Sequence, residues 1–504
     1  MFQLDELSTT PPLERRVFCN RTLNLRSIQA VGCDMDYTLV HYNTEVWEAR
    51  AYEYAQQRLL DRNWPVAGLR FDRELSSIGL VVDVEFGNLV MVNRFGHVRR
   101  ASHGTKMLSY EECRQVYTTA PVDLDDDRWQ FVDTLFSLSE TCLFSQLVDL
   151  LDKGKLEQGM SYRELYAHVR AAMDATHLEG RLKAEIIADP ARYVVLDEEL
   201  PLTLLDLKQA GKKLMLITNS EWEYTRGMMS YTFDRFLNGG SWRDLFDLVV
   251  VSARKPSFFS GDNPVFRVVD ESGLLRPHLG PLQLGEVYLG GNARLVERSL
   301  SLRGEDILYF GDHIYADVHV SKDLLRWRTA LVLRELEEEL LQQRAFSDEQ
   351  DRLREMMAQK GLLEHEFSLI RLRLQRSRAA SEGLGEFKLE ATSSAPYAAS
   401  GVLDEHTVQQ LRRKMQELRS RLVRLDGEIA PLAERSGQLV SRRWGRLLRC
   451  GNDKSHLARQ LERHADIYMS RVSNLLAYTP FVYLRAPRGS MPHDDELGTE
   501  WVES

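Results

Sequence analysis

The chain has 504 residues, 43% of them hydrophobic, with a formal net charge of −10. That size supports a large core and more than one domain. The acidic balance argues against a nucleic-acid backbone binder, and no run of about 18 uncharged apolar residues marks a membrane span.

The five cysteines, Cys19, Cys33, Cys113, Cys142 and Cys450, are odd in number and widely spaced, with no CxxC pair. They suggest neither a zinc site nor a disulfide framework. With no secretory apolar stretch at the N-terminus, a cytoplasmic location is expected.

The first predicted element is IQAVGCD, an apolar run that ends in Asp34, with Asp36 two residues on. Four further runs read as buried parallel strands: 212–220, 245–255, 306–313 and 328–333. Between the first and second strands lies a long insertion. Residues 79–104 read as strands with turns at Phe86-Gly87-Asn88 and Phe95-Gly96-His97, and residues 125–195 read as helices. An insertion of that length predicts a cap over the sheet.

After residue 333 the pattern becomes helical and charged. Residues 381–402 are rich in Gly, Ser, Ala and Pro and predict a flexible loop. Val408, Leu411, Met415, Leu418, Leu422, Leu425, Ile429 and Leu432 then alternate spacings of three and four, a heptad seam. It can pack on the first charged helix as an antiparallel hairpin, or on another subunit. Its basic run, RRKMQELRSRLVR, has acids nearby and no interleaved aromatics, so a nucleic-acid role gains no support.

The first four strands each deliver polar groups just past their last apolar residue, where open α/β sheets bind ligands. A carboxylate held rigidly at Asp34 can attack phosphorus and form an aspartyl-phosphate. Asp36 can protonate the departing oxygen and later deprotonate water. A carboxylate and a phosphate repel each other, so Mg²⁺ is expected between them, with Asp34, the Asp36 backbone carbonyl and Asp312 as oxygen ligands. Thr218 offers a hydroxyl, Asn219 nearby backbone N–H groups, and Lys255 a positive charge for phosphate. Singly, each of these is ordinary; DMDYT, ITNS, RKP and GDHIYAD in that order, each after a strand, are specific.

That ordered set resembles the haloacid dehalogenase-like (HAD) superfamily, with hhhDxDxT at residues 31–38, Thr218, Lys255, and the acidic pair Asp312 and Asp317. DMDYTL, LITNS, SARKPSFF, LYFGDHIYADV and HADIY…NLLAYTPFVYLR…MPH are similar to the cytosolic purine 5′-nucleotidase family across residues 31–493. The resemblance implies an α/β fold: a HAD-like Rossmannoid parallel-sheet core, a large α+β cap insertion and a C-terminal helical, coiled-coil extension. The core is expected from 1–44 and 200–334, the cap from 45–199, a charged hairpin from 335–435, and a helical segment from 436–504 returning to the core.

By the same resemblance Asp317 joins the metal set and Ser220 the phosphate set, and the cap segment 169–183 reads the nucleotide base through Arg170, Asp174, His177 and Lys183. Arg170, Asp174 and His177 share one helical face, which also suits a plain surface salt bridge. Leu178 stands where an aromatic residue beside the histidine is expected. The function implied is a Mg²⁺-dependent 5′-nucleotidase for purine nucleoside monophosphates such as IMP and GMP, with phosphotransfer to nucleosides as a side activity and a homo-oligomeric state. The competing readings are a HAD phosphatase for another small ester and a non-catalytic oligomeric scaffold.

Overall fold

A computed structural model of the chain describes residues 10–117, 121–382 and 402–487. Most of the 381–402 loop, and the side chains of His177 and Leu178, lie outside the described set. Residues 342–442 form one unit, and the flanking chain on both sides forms the other.

The larger unit is built on a ten-stranded sheet. In chain order its strands are β1 (Phe18–Cys19), β2 (Ala30–Cys33), β3 (Lys213–Ile217), β4 (Leu248–Val251), β5 (Val265–Val268), β6 (Leu275–Pro277), β7 (Val287–Gly290), β8 (Ile307–Gly311), β9 (Arg328–Val332) and β10 (Ile467–Met469). In space the order is β1-β10-β9-β8-β2-β3-β4-β7-β5-β6. From β10 through to β7 every neighbour is parallel; β1 and β5 run the other way, and β6, antiparallel to β5, runs with the block again. All five strands expected from the sequence are present in this parallel block.

The central strand β2 explains why the run is so apolar. Ala30, Val31, Gly32 and Cys33 are all buried, because a parallel strand is covered on both faces. Register then fixes where the strand ends fall. Ala30 lies opposite Lys213 and Ile307, and Cys33 opposite Leu216 and Phe310. Asp34, Thr218 and Asp312 therefore leave the sheet at the same edge.

The insertion after β2 holds a five-stranded antiparallel sheet with order Lys106–Met107, Val98–His103, Asn88–Val92, Val81–Asp83, Trp129–Phe131. Gly87 and Gly96 make its two predicted turns, both with positive φ. Helices α1 (Thr44–Asp61), α2 (Leu138–Asp152) and α3 (Tyr162–Leu178) pack beside it. The expectation of helices from 125 to 195 needs correction at both ends. Trp129–Phe131 pairs with Val81–Asp83, which buries Trp129, and Val194–Val195 pairs with His41–Tyr42.

Residues 436–487, expected as helical, are mixed. They carry the α-helix α6 (His456–His464), a 3₁₀ helix at Val472–Ala477 and the strand β10. Asp466 ties this segment down. Its buried carboxylate accepts from Lys322 Nζ at 2.6 Å, Arg328 Nε at 3.0 Å and the Thr329 N–H at 3.0 Å. Burial would raise this carboxyl, but Lys322 and Arg328 hold it below the usual carboxylate range.

The second unit is a helical hairpin of α4 (Ser347–Ser381) and α5 (Glu405–Gly437). Ion pairs Glu349–Arg435, Lys360–Asp426 and Glu366–Lys414 set the two helices antiparallel. Leu418, Leu425 and Ile429 of the heptad seam are buried against Leu353, Met356 and Leu363. The seam thus packs within the chain, on the first charged helix.

Asp466→Ala strands Lys322 and Arg328 beside a buried gap, and should cost about 3–5 kcal/mol of stability at neutral pH. The folded carboxyl lies below its unfolded value, so its contribution is full above the ordinary carboxylate range and is lost as pH falls through the folded value. Urea midpoints of wild type and Asp466→Ala should therefore draw together as pH falls below the ordinary carboxylate range. A gap that stays constant with pH would contradict this account.

Candidate active site

The site lies where β2, β3, β4 and β8 end. Asp34 follows β2 directly, and its N–H donates to the Phe310 carbonyl at 2.8 Å, so the carboxylate is carried by the sheet itself. The chain then folds back at once. The N–H groups of Thr38, Leu39 and Val40 all donate to the Met35 carbonyl. Tyr37 takes a φ of 55°, a left-handed conformation that costs an ordinary residue about 1–2 kcal/mol. Its ring is held edge-on by Phe136 and Tyr42, at 4.8 and 5.3 Å between centroids, which offsets that strain.

This fold-back aims Asp36 away from the strand. Its Oδ1 accepts from Tyr42 at 2.6 Å and its Oδ2 from Ser220 at 2.6 Å. Tyr224 in turn donates to the Tyr42 hydroxyl at 3.0 Å. Two hydroxyl donors therefore fix the Asp36 carboxylate beside the end of β3.

Lys255 reaches the site after a turn in which Ser252 and Arg254 have positive φ. Asn219 holds that turn: its Oδ1 accepts the Lys255 N–H at 2.6 Å and its Nδ2 donates to the Lys255 carbonyl at 3.2 Å. The Lys255 ammonium is 2.8 Å from Asp34 Oδ1 and 2.7 Å from Asp317 Oδ1, and donates to Tyr309 at 3.2 Å. Burial alone would lower this ammonium, yet Asp317 and Asp34 hold it well above its ordinary value. It is a fixed positive charge.

Two glycines make room for this arrangement. A Cβ on Gly32 would stand 2.8 Å from the Tyr309 ring, so a bare position lets the phenol lie across β2 toward Lys255. A Cβ on Gly311 would overlap Asp317, which a π-helical turn at Ile314–His319 folds back against the strand end.

Asp34, Asp312 and Asp317 form a cluster whose carboxylate oxygens lie within 4.8 Å of one another. Burial pushes the Asp34 carboxyl up to about 7 against the pull of Lys255, with Asp317 and Asp36 adding to the rise. Burial, Asp34 and Asp317 drive Asp312 well above its usual range. Three converging carboxylates facing one ammonium leave excess negative charge. An all-oxygen set of this kind fits a hard divalent cation. The Asp36 carboxylate, bound to two hydroxyls, is not one of the cluster.

The other expected residues distribute as follows. Thr218 is fully buried, and its Oγ1 accepts the Ser220 N–H at 3.0 Å. Lys183 sits over the Tyr224 ring, 5.1 Å from its centroid, and so joins the Tyr224–Tyr42–Asp36 chain. Arg170 donates to Gln130 at 3.2 Å. It also acts electrostatically on Asp133, which lies 3.3 Å from His313 and feels Asp317. That places Arg170 on the cap side of the cluster. Asp174 is exposed on the same helix, α3, and acts on Glu140, as Arg170 does. Tyr42, Tyr224, Tyr309, Asp133 and His313 were not anticipated. They reach the site by tertiary packing, and only His313, beside Asp312, had a local cue.

The 5′ nucleotidase family model matches residues 17–496. A 5′-nucleotidase domain-containing protein of Dictyostelium discoideum is 28% identical, over 98% of this chain and 77% of that protein. Human 5′-nucleotidase domain-containing protein 2 is 29% identical, over 97% of this chain and 86% of its own length. Among solved structures, an archaeal beta-phosphoglucomutase from a Pyrococcus strain covers 60% of this chain and 86% of its own at 11% identity, with a TM-score of 0.29. A family model running through every described strand of the α/β core, with acidic and basic groups gathered at the strand ends, makes this chain a member of the 5′-nucleotidase family and a phosphoric monoester hydrolase.

Proposed function

We propose that the chain is a Mg²⁺-dependent 5′-nucleotidase acting on purine nucleoside 5′-monophosphates through an aspartyl-phosphate. The observation that carries this reading is the cluster of Asp34, Lys255, Asp312 and Asp317 at the strand ends, with Asp36 held alongside. Mg²⁺ bound among Asp34, the Asp36 backbone carbonyl, Asp312 and Asp317 would neutralise charge on the phosphoryl oxygens.

Asp34 Oδ attacks phosphorus in line with the ester oxygen. The P–O ester bond breaks, and the leaving nucleoside oxygen takes a proton from Asp36. A water then attacks the same phosphorus and gives its proton to Asp36. The bond from phosphorus to Asp34 breaks, and inorganic phosphate and free Asp34 result. Tyr42 and Ser220 orient the Asp36 carboxyl for both transfers. Lys255 offsets charge that builds on the phosphoryl group. Thr218, Asn219 and Ser220 shape the phosphate pocket between β3 and the Lys255 turn. A nucleoside hydroxyl entering in place of water gives phosphotransfer.

The cap supplies the base end. Arg170 and Asp174 on α3, with His177 on the same helix and Lys183 just after it, offer donors and acceptors for a purine's polar edge. Arg170 and Lys183 support this role best. The first stands beside Asp133 and the second over Tyr224, both connected to the strand-end groups.

Asp34→Asn should lower phosphate release by at least about a thousand-fold, because an amide cannot form the acyl-phosphate. Retained activity would remove Asp34 from the nucleophile's role. In a panel of IMP, GMP, AMP and sugar phosphates, release should need Mg²⁺, stop with EDTA, and favour IMP or GMP. Preference for a sugar phosphate would discard the purine reading and keep the core chemistry. Arg170→Ala and Lys183→Ala should raise KM for the preferred nucleotide by about 10- to 100-fold, the worth of one charge-assisted hydrogen bond, with a smaller change in kcat. An unchanged KM would place both residues outside base recognition.

A further inference from the structure

Behind the π-helical turn that carries Asp317, a second group of potential ligands converges. His319 ends that turn, Asp323 lies one helical turn on in the helix Val320–Leu325, and His464 closes α6. One nitrogen from each imidazole and a carboxylate oxygen lie within 4.8 Å of one another. His319 Nε2 is 2.9 Å from Asp323 Oδ2, and His464 Nδ1 is 3.9 Å from Asp323 Oδ1. The two imidazole centroids are 4.0 Å apart.

His464 is the decisive member. Its side chain is only 4% exposed, and its Nδ1 is buried without a hydrogen-bond partner. A buried ring nitrogen normally finds a partner, and an unsatisfied one costs about 1–3 kcal/mol. This one points at Asp323 from beyond hydrogen-bond reach. A metal ion between them would supply the missing bond and bring the ligand atoms to the separation that a tetrahedral shell of Zn–N bonds of about 2.0–2.1 Å requires.

The chemistry of the set differs from that at the strand ends. Three aspartates suit a hard, hydrated cation; two imidazoles and one carboxylate suit a first-row transition metal. His319 and Asp323 are four apart, the spacing by which one helix presents two ligands to one ion. The third comes from a distant segment, and exposed Asp323 leaves a fourth position open to solvent. Three protein ligands with one open position is a common zinc arrangement.

We propose that His319, Asp323 and His464 bind one divalent transition-metal ion of the Zn²⁺ type, separate from the cation at Asp34, Asp312 and Asp317. The ion staples α6, and with it the β10 segment, to the turn bearing Asp317. An i,i+4 histidine–aspartate pair with a packed histidine behind it is the arrangement the metal would have to improve upon.

The test uses the full-length protein, stripped with a chelator and returned to excess Mg²⁺ so that the carboxylate cluster is filled. Zn²⁺ is then titrated and metal content measured after gel filtration, with Co²⁺ as a spectroscopic substitute. Wild type should retain one equivalent, show the visible bands of Co²⁺ in a low-symmetry nitrogen and oxygen shell, and melt at higher temperature with Zn²⁺ than without. His319→Gln, at a partly exposed position, and His464→Gln should each weaken uptake by at least about ten-fold and erase those bands. If His464→Gln does not fold, His319→Gln and Asp323→Asn still decide the matter. Failure of wild type to retain Zn²⁺ would overturn the proposal. So would uptake that survives His319→Gln and disappears in Asp312→Asn, since the ion would then belong to the strand-end carboxylates.

Discussion

The Lys255 ammonium, held between Asp34 and Asp317, is the interaction on which the rest of the site depends. Three carboxylates within a few ångströms, those of Asp34 and Asp317 buried and that of Asp312 partly so, would repel one another strongly in a low-dielectric pocket. One fixed cation between Asp34 and Asp317 makes the arrangement tolerable. The surroundings are shaped to keep it there. Asn219 clamps the Lys255 backbone, Tyr309 caps the ammonium, and Gly32 and Gly311 leave space for Tyr309 and Asp317. The negative charge that remains is what a divalent cation and a phosphoryl group would share.

Rigid placement comes from the sheet. Asp34 is bonded through its own N–H to β8, so its position is set by the register of strands buried on both faces. Asp36, by contrast, is placed by side chains from other elements, Tyr42 and Ser220. This division suits the chemistry. A nucleophile gains from a fixed position, and a group that both gives and takes a proton gains from neighbours that define its orientation.

The strand ends could be read from sequence because each is local. An apolar run closed by Asp34, Thr218, Lys255 or Asp312 declares both the strand and its polar tip. Strand β7 was not read, since Val287–Gly290 is four residues long and runs straight into Gly291. Trp129–Phe131 went the same way, because its strand character depends on pairing with Val81–Asp83. The partners of the site residues were hidden for a similar reason. Nothing near Tyr42 or Asp133 in the chain shows that one will bond Asp36 and the other approach His313. The heptad seam was legible as a stripe, while its choice of α4 as partner came from ion pairs spread over both helices. The cysteine pattern said nothing about imidazoles that meet only after folding.

The sheet joins segments that are very far apart in the chain. Strand β2 is flanked by β3, which begins at Lys213, and by β8, which begins at Ile307; β9 waits for β10 near residue 467, and β10 in turn pairs with β1. Such pairings must close long loops before they are rewarded, which makes them slow to form. During synthesis the Asp34 strand therefore emerges long before either neighbour. The sheet stays open along β9 until the residues near 467 have left the ribosome, with unpaired N–H and C=O groups exposed on that edge. The insertion after β2 also awaits the C-terminal segment, since Trp444 Nε1 donates to the Leu75 carbonyl and Asn93 bridges to Ser455. A nascent chain of this protein would thus carry Asp34 on a strand without neighbours, and the strand-end groups would meet only once the strands from distant segments had arrived.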